Sequence, residues 1–306
     1  MKSMRLATAA LALAGAATPL YAQDDFSVDN GWELGGRFWW STGKTTWSHN
    51  ASGPGLPYGN PTSVLTYDHV NAQSVEFVGA KRWRPGFFLT GNAGFGRIYS
   101  GNLNDQDFNA GQVKFSETNS SLNNEGALAY FTVDGGYEFA RGYRSGLGVF
   151  GGLNFWSEHV EAMGASVVVP AGAAGISNST KVISNDMRWY SLRVGLAGRL
   201  QLGDRVNLSG SVAAVPYSVL RNDDSHHLRT DLGSTPNITM EGTGYGMQLD
   251  GEARINLFKK TDLGLGLRYW KLKATGDIHF AGGPALPLTN FESTRYGATL
   301  SVITRF

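Results

Sequence analysis

Tyr245-Gly246-Met247-Gln248-Leu249-Asp250-Gly251-Glu252-Ala253-Arg254-Ile255 sets an apolar row (Tyr245, Met247, Leu249, Ile255) against a row of Gln248, Asp250, Glu252 and Arg254. Alternate residues of a strand point to opposite faces, so this is a strand with one apolar and one charged side. A soluble two-sheet core would leave such charges facing apolar neighbours, at a cost of several kcal/mol for each unpaired ion. A closed barrel reverses the geometry: the apolar face meets hydrocarbon, and the charges meet water or each other inside.

The same alternation recurs along the chain. Trp32, Leu34, Phe38 and Trp40 alternate with Glu33 and Arg37. Phe131, Val133, Tyr137 and Phe139 alternate with Thr132, Asp134 and Glu138, and Tyr190, Leu192, Val194 and Leu196 with Ser191 and Arg193. The spacing predicts an all-β fold, a transmembrane antiparallel barrel of ten strands. They are placed near 30–47, 63–82, 86–100, 125–140, 143–161, 182–202, 205–219, 238–257, 261–275 and 290–306. Arg82 to Gly86, Arg141-Gly142-Tyr143, Gly203-Asp204-Arg205 and Lys259-Lys260-Thr261 read as tight turns. The polar stretches near 48–62, 101–124, 162–181, 220–237 and 276–289 read as long connections. Short turns at one end and long loops at the other are the periplasmic and exterior ends of such barrels. Trp32, Phe38, Trp40, Tyr190 and Tyr269 read as lipid-facing or girdle aromatics. Phe150, Trp156 and Trp270 are large enough to plug a ten-stranded lumen.

Composition agrees. Charged residues are 17%, aromatics 12%, and there are 41 glycines in 306 residues. Cysteine is absent, which excludes disulfides, thiol catalysis and cysteine-ligated metals, and the net charge of +1 gives no pull toward nucleic acid. At the N-terminus, Lys2 and Arg5 precede an apolar run from Leu6 to Ala17 and a small-residue site at Leu20-Tyr21-Ala22. The pattern predicts a signal peptide over 1–22 and a single barrel domain over 23–306, with an N-terminal anchor as the alternative. Tyr296, Ala298, Leu300, Val302 and Thr304 form a mostly apolar row ending at the aromatic Phe306, with Arg295, Thr299, Ser301 and Arg305 between them and Ile303 as the exception. This is the form of a terminal barrel strand.

Two segments carry chemistry. Asn104-Asp105-Gln106-Asp107-Phe108 follows the third strand, and Asn222-Asp223-Asp224-Ser225-His226-His227 follows the seventh. Both leave their strands at the long-loop end, and in a ring of ten they face each other across the mouth. Asp224 and His226 are two apart, so in an extended segment they share a face, as do Asp105 and Asp107. A carboxylate beside an imidazole fixes its tautomer and stabilises the imidazolium. Paired carboxylates raise each other's pKa and hold a water. A water between Asp105 and His226 could then attack a peptide carbonyl. A surface metal site of Asp223, Asp224, His226 and His227 is the alternative, and solvated turn aspartates are the ordinary reading of either motif alone.

Asp105-Gln106-Asp107-Phe108 and Asp224-Ser225-His226 resemble the motifs of the omptins, outer-membrane proteases with ten-stranded barrels. Thr42-Gly43-Lys44, Val75 to Trp83, Tyr143 to Leu147 and the end at Phe306 are also similar to omptin sequence. The resemblance implies an aspartic-type endopeptidase. In it Asp105 and His226 position and deprotonate the water, Asp224 orients His226, and Asp107 supports Asp105.

Omptins cut beside basic residues, using acidic side chains in the specificity pocket. One matching position is Asn222 here, and the other is Trp47 or Ser48, with Asp223 as the nearby carboxylate; these are the candidate substrate-binding residues. The resemblance also implies lipopolysaccharide as an activator, although Leu153 to Ser157 and Leu200-Gln201-Leu202 lack the charges that would hold it, with Arg199 nearby. No cofactor or metal is expected. The expected partners are outer-membrane lipid and peptide or protein substrates, and the barrel is expected to be a monomer. His49, His69, His159 and His279 read as solvated rim histidines. An adhesin, a structural barrel or a small channel is the non-enzymatic alternative.

Overall fold

The computed structural model describes residues 31–306 apart from Lys259. The proposed signal peptide lies outside the described residues, as does part of the turn at Lys259-Lys260-Thr261. Eleven antiparallel strands form one sheet that closes on itself: β1 Trp32–His49, β2 Tyr58–Arg82, β3 Phe87–Asn109, β4 Val113–Leu122, β5 Gly126–Arg141, β6 Ser145–Val169, β7 Ile176–Leu202, β8 Val206–His226, β9 Ile238–Phe258, β10 Thr261–Phe280 and β11 Leu286–Arg305. Closure runs through β1 and β11, from Glu33 opposite Arg305 to His49 opposite Leu288.

Two strands share one place in the ring. The upper half of β3 pairs with β4 and its lower half with β5. β6 does the same, with β4 at 162–169 and β5 at 146–159. The ring therefore has ten places, as the periodicity predicts, with the fourth interrupted at Asn123-Asn124-Glu125.

The strands run much further than the sequence pattern marks. β2 and β6 have 25 residues each and β7 has 27, whereas roughly 9–11 cross the apolar layer. Most of the stretches read as long loops are strand: of 101–124, only 110–112 and 123–124 are not. The remaining upper connections are 50–57, 170–175, 227–237 and 281–285. Among the described residues, the tight turns at 83–86, 142–144 and 203–205 are as expected.

A lipid-facing band explains where the pattern holds. In the lower part, Val75, Phe77, Val133, Leu192, Val194, Val212, Leu265, Leu267 and Val302 are exposed on the outer wall. Tyr190, Tyr217 and Tyr296 edge the band above, and Trp32, Trp83, Phe87, Tyr143 and Phe306 edge it below, as interfacial aromatics do. Inside this band the lumen is charged and paired: Arg268 donates to Glu76 and Asp250 at 2.6 Å each, Arg254 to Glu33 at 2.9 Å, and Asp134 lies 3.3 Å from Arg193. Arg268 also stacks over Trp39, Tyr130 and Trp270. Trp156 and Trp270 are fully buried and Phe150 nearly so. Glycine makes room for these plugs, since a Cβ at Gly94 would overlap the Tyr130 ring and one at Gly195 the Phe150 ring. The single inward aliphatic of β11's lower half, Ile303, is 1% exposed.

Above the upper girdle the polarity inverts. The outer wall carries ion pairs such as Lys271–Glu292 and Lys181–Glu161, both at 2.8 Å. The interior becomes a continuous apolar core of Trp47, Leu65, Met187, Trp189, Leu220, Met240, Phe291 and their neighbours. This part of the barrel stands in water, and its core is built like that of a soluble protein.

Candidate active site

The two acidic motifs sit on top of this apolar core, at the upper ends of strands rather than in loops. β3 carries Asp105 and Asp107, and β8 carries Asn222, Asp223, Asp224 and His226. Leu65 of β2 and Thr118 of β4 flank Asp105, and Ser63 and Ser116 flank Asp107. Ser63 donates to Asp107 at 2.6 Å. From β2, the Tyr67 hydroxyl reaches across the mouth to Asp224 at 3.4 Å, a long contact. Tyr67 also feels the charges of both Asp224 and Asp105, so the two motifs converge around its hydroxyl.

The electrostatics follow from burial on an apolar floor. Asp224 is 0% exposed. Burial, then the nearby Asp105, holds its carboxyl well above the usual range, while the Tyr67 hydroxyl and the Ser225 amide pull weakly the other way. Burial and then Asp107 push Asp105 up to about 7, against a smaller downward pull from Arg229. His226 is driven down to about 4 by burial, with Arg229 and His227 adding to it. Near neutral pH the imidazole is therefore uncharged and Asp105 is close to half-ionised, while burial favours the protonated form of Asp224.

Asp224 and His226 are adjacent but not hydrogen-bonded. His226 Nε2 and Asp224 Oδ1 are 3.6 Å apart. Among the described residues neither atom has another partner, and Asp105 Oδ1 has none either.

The remaining sequence-predicted residues separate. Asn222 is buried, donating to Asn185 at 2.8 Å and toward the Met240 sulfur, with its own Oδ1 unpartnered. Trp47 points inward, fully buried, with Nε1 unpartnered, and Ser48 points outward to Thr289. Asp223 does not line the mouth. Strand alternation turns it to the outer wall, where it pairs with Arg188 at 3.2 Å. For the same reason Asp223 and Asp224 cannot face one ion, and no group of three or more metal-ligating side chains occurs among the described residues.

His49 departs from the solvated reading. It is 4% exposed, packs on Phe280 at 4.9 Å between ring centroids, and lies in the same cross-strand row as Ser63 and Asp107. Burial lowers it to about 4. His159 pairs with Asp186 at 2.9 Å on the outer wall, and His279 with the Gly283 carbonyl at 3.0 Å. Tyr67 and Arg229 are site residues that the motif reading missed. Tyr67 was detectable, because it lies two residues from Leu65 in the inward row of β2. Arg229 was not, because its place over the site depends on the path of the 227–237 connection.

Strands closed into a ring, an apolar outer band between aromatic girdles and a charged, paired lumen define an integral outer-membrane β-barrel. The family model of the Protochlamydia outer membrane protein, Pom, matches residues 37–282, and the chain belongs to that family. Among solved structures it is similar to the outer membrane protease OmpT from Escherichia coli, with a TM-score of 0.74, 15% identity, and coverage of 91% of this chain and 98% of that one. At that identity the likeness shows the fold. The attachment invasion locus protein Ail of Yersinia pestis aligns over 90% of this chain and 99% of its own, with a TM-score of 0.33 and 8% identity. A search of the curated proteins finds no match.

Proposed function

We propose that this chain is an outer-membrane endopeptidase whose water is activated by Asp105 and His226 at the exterior rim. One observation carries the reading: Asp105 from β3 and the Asp224–His226 pair from β8 meet around one tyrosine, with buried polar atoms left unpartnered between them. Buried polar groups are ordinarily satisfied, and unsatisfied ones concentrated at a mouth mark where a ligand binds. In this mechanism water lies between Asp105 and His226. As its oxygen attacks the peptide carbon, its proton passes to the neutral imidazole, on the ring nitrogen away from Asp224. Asp224, ionised in this step, stabilises the imidazolium across its Nε2–H. The proton taken from the water then goes to the departing amine as the C–N bond breaks. Asp107 supports Asp105 and sets its charge.

The catalytic residues are thus Asp105, Asp107, Asp224 and His226, without a covalent intermediate or a metal. The lipid partner is the outer-membrane bilayer, and lipopolysaccharide is the activator to test. Leu153, Leu200 and Leu202, in the stretches considered for it, face outward in the apolar band.

A non-catalytic barrel is the second reading, and the 3.6 Å gap between Asp224 and His226 favours it. Cleavage of a mixed peptide library by the refolded barrel, with and without lipopolysaccharide, separates the two. The peptidase reading expects Asp105→Asn and His226→Ala to lose about 10²-fold or more in rate, the size of a general-base contribution. A folded wild type that cuts no faster than these variants would leave the adhesin or structural reading.

A further inference from the structure

The charged part of the lumen encloses a cavity of about 310 Å³, at the small end of the range for ligand pockets. Arg268 and Trp270 cap it, with the apolar core above them, and its lining descends to Arg144, Gln201 and Arg305 at the periplasmic turns and strand ends. It is thus a vestibule open to the periplasm and blind toward the exterior.

Its two ends show opposite charges. At the blind end the guanidiniums are covered and the carboxylates are not: the Arg268 side chain is 2% exposed and that of Asp250 is 30%. Arg193, also buried, lies over the Phe150 ring with its Nε 3.3 Å from Asp134 Oδ1. Among the described residues neither of those two atoms has a hydrogen-bond partner, so a donor and an acceptor stand open side by side. At the periplasmic end the carboxylate is the covered group. Glu138, its side chain 8% exposed, carries both Arg199 and Arg82, and Arg82 is 22% exposed. Arg144 lines the same opening and pairs with Asp204 on the neighbouring turn. The remaining wall is balanced, with Arg254 on Glu33 and Glu252, and Arg305 on Asp262.

We infer that this vestibule binds a small zwitterion from the periplasm, an amino acid or dipeptide, with its amine end inward. An ammonium at the blind end donates to Asp134 Oδ1 and Asp250, and hydrogen bonds between ions are roughly twice as strong as neutral ones. In a dipeptide the first carbonyl oxygen is close to the amine, which suits the open Arg193 Nε–H beside Asp134. The carboxylate of the ligand then faces the opening, where the exposed guanidinium edge of Arg82 matches its planar geometry. A ligand charged at only one end leaves the groups at the other end desolvated and unpaired. The site is independent of the peptidase reading, since Asp105, Asp107, Asp224 and His226 do not line the cavity.

The test titrates the folded, full-length barrel in an uncharged detergent, by calorimetry at constant ionic strength, with three probes: alanyl-alanine, its N-acetylated form and its C-terminal amide. The free dipeptide should bind about tenfold or more tighter than either blocked form, the size of one hydrogen bond to a charged group. Asp134→Asn should remove the advantage over the N-acetylated form and keep the advantage over the amide, and Arg82→Gln should do the reverse. If either variant fails to fold, Arg144→Ala on its exposed turn still reads the effect. It should weaken the free dipeptide and the N-acetylated form by about threefold, as loss of one exposed charge does, and leave the amide unchanged. Equal binding of all three probes, or binding of none, would overturn the inference. So would binding that persists in Asp134→Asn and Arg82→Gln but is lost in Asp105→Asn, since that places the dipeptide at the exterior rim.

Discussion

The lower and upper halves of the lumen solve the same problem, filling a ten-place ring, with opposite chemistry. Below the upper girdle the filling is ionic: Arg268 is held by Glu76 and Asp250 and by three aromatic rings, and a cavity of about 310 Å³ lies among the charges. Above it the filling is apolar, with Trp47, Trp189, Leu220 and Phe291 no more than 1% exposed. The solvent outside dictates the difference. Where hydrocarbon surrounds the wall, apolar residues go outward and the polar ones remain for the interior. Where water surrounds it, the hydrophobic effect turns the same strands inside out. The consequence is functional: carboxylates at the rim rest on an apolar floor, without the arginine partners that their counterparts lower down possess.

The largest test of this contrast is in the ionic half. Arg268→Ala leaves Glu76 and Asp250 without their shared guanidinium and opens space among Trp39, Tyr130 and Trp270. Removing one partner of a buried pair costs about 3–5 kcal/mol, so reversible urea unfolding in detergent should show a loss of that order, or no refolding. A loss below about 1 kcal/mol would mean that water in the lumen screens these charges and that the network is not structural.

A truncation in the apolar half should cost less. Leu220→Ala, beneath Asn222 on β8, removes a fully buried side chain, and core leucines lose about 2–5 kcal/mol; the low end is expected because the neighbouring Met187 and Met240 are flexible enough to close part of the gap. A neutral outcome would show that the upper core is loosely packed and that the rim site has no firm floor.

The same contrast separates what could be read from sequence and what could not. The ring of ten, the tight turns and the outward apolar face were legible in segments such as Tyr245 to Ile255 because hydrocarbon on one side and charge on the other give the strongest period-2 signal. Above the girdle, Asn102-Leu103-Asn104-Asp105-Gln106-Asp107 reads as loop, because a polar outer wall and carboxylates in the inward row leave little alternation. The candidate site residues were named by type and spacing, and Asp223, grouped with them as a substrate-binding carboxylate, is turned by strand parity to the outer wall. The burial of His49, the bridging of Tyr67 and the unpartnered state of Trp47 depend on contacts between strands distant in sequence, which no local pattern contains.

The absence of arginine partners at the rim should also appear in stability. A carboxyl whose pKa is higher folded than unfolded binds its proton more tightly in the folded state. The stability it contributes is complete below the unfolded value and is lost as pH rises through the folded one. For Asp105 that window runs from the ordinary 3.8 to about 7. Asp105→Asn should therefore be more stable than wild type at pH 8, by roughly 1–2 kcal/mol once partial exposure is discounted. The gain should shrink as pH falls through 7 and disappear near pH 4. A variant less stable at pH 8 would mean that the ionised carboxylate has a partner in solution.

The smallest effect is the most informative about chemistry. Asp107 is the second cause of the raised Asp105 pKa, after burial, and Ser63 holds its carboxylate 2.6 Å away. Peptide cleavage that depends on ionised Asp105 should rise with pH through about 7 and level off above it, since His226, lowered to about 4, is already neutral there. Replacing Asp107 with Asn keeps the shape and the serine bond but removes the neighbouring charge. The rising limb of the profile should then move to lower pH by roughly half a unit to one unit, the size of one nearby charge at a partly solvated site. A limb that stays in place while the maximum rate falls would mean that Asp107 acts on the water directly rather than through Asp105. A limb that moves upward would show that Asp107 stabilises the ionised form of Asp105 instead of opposing it.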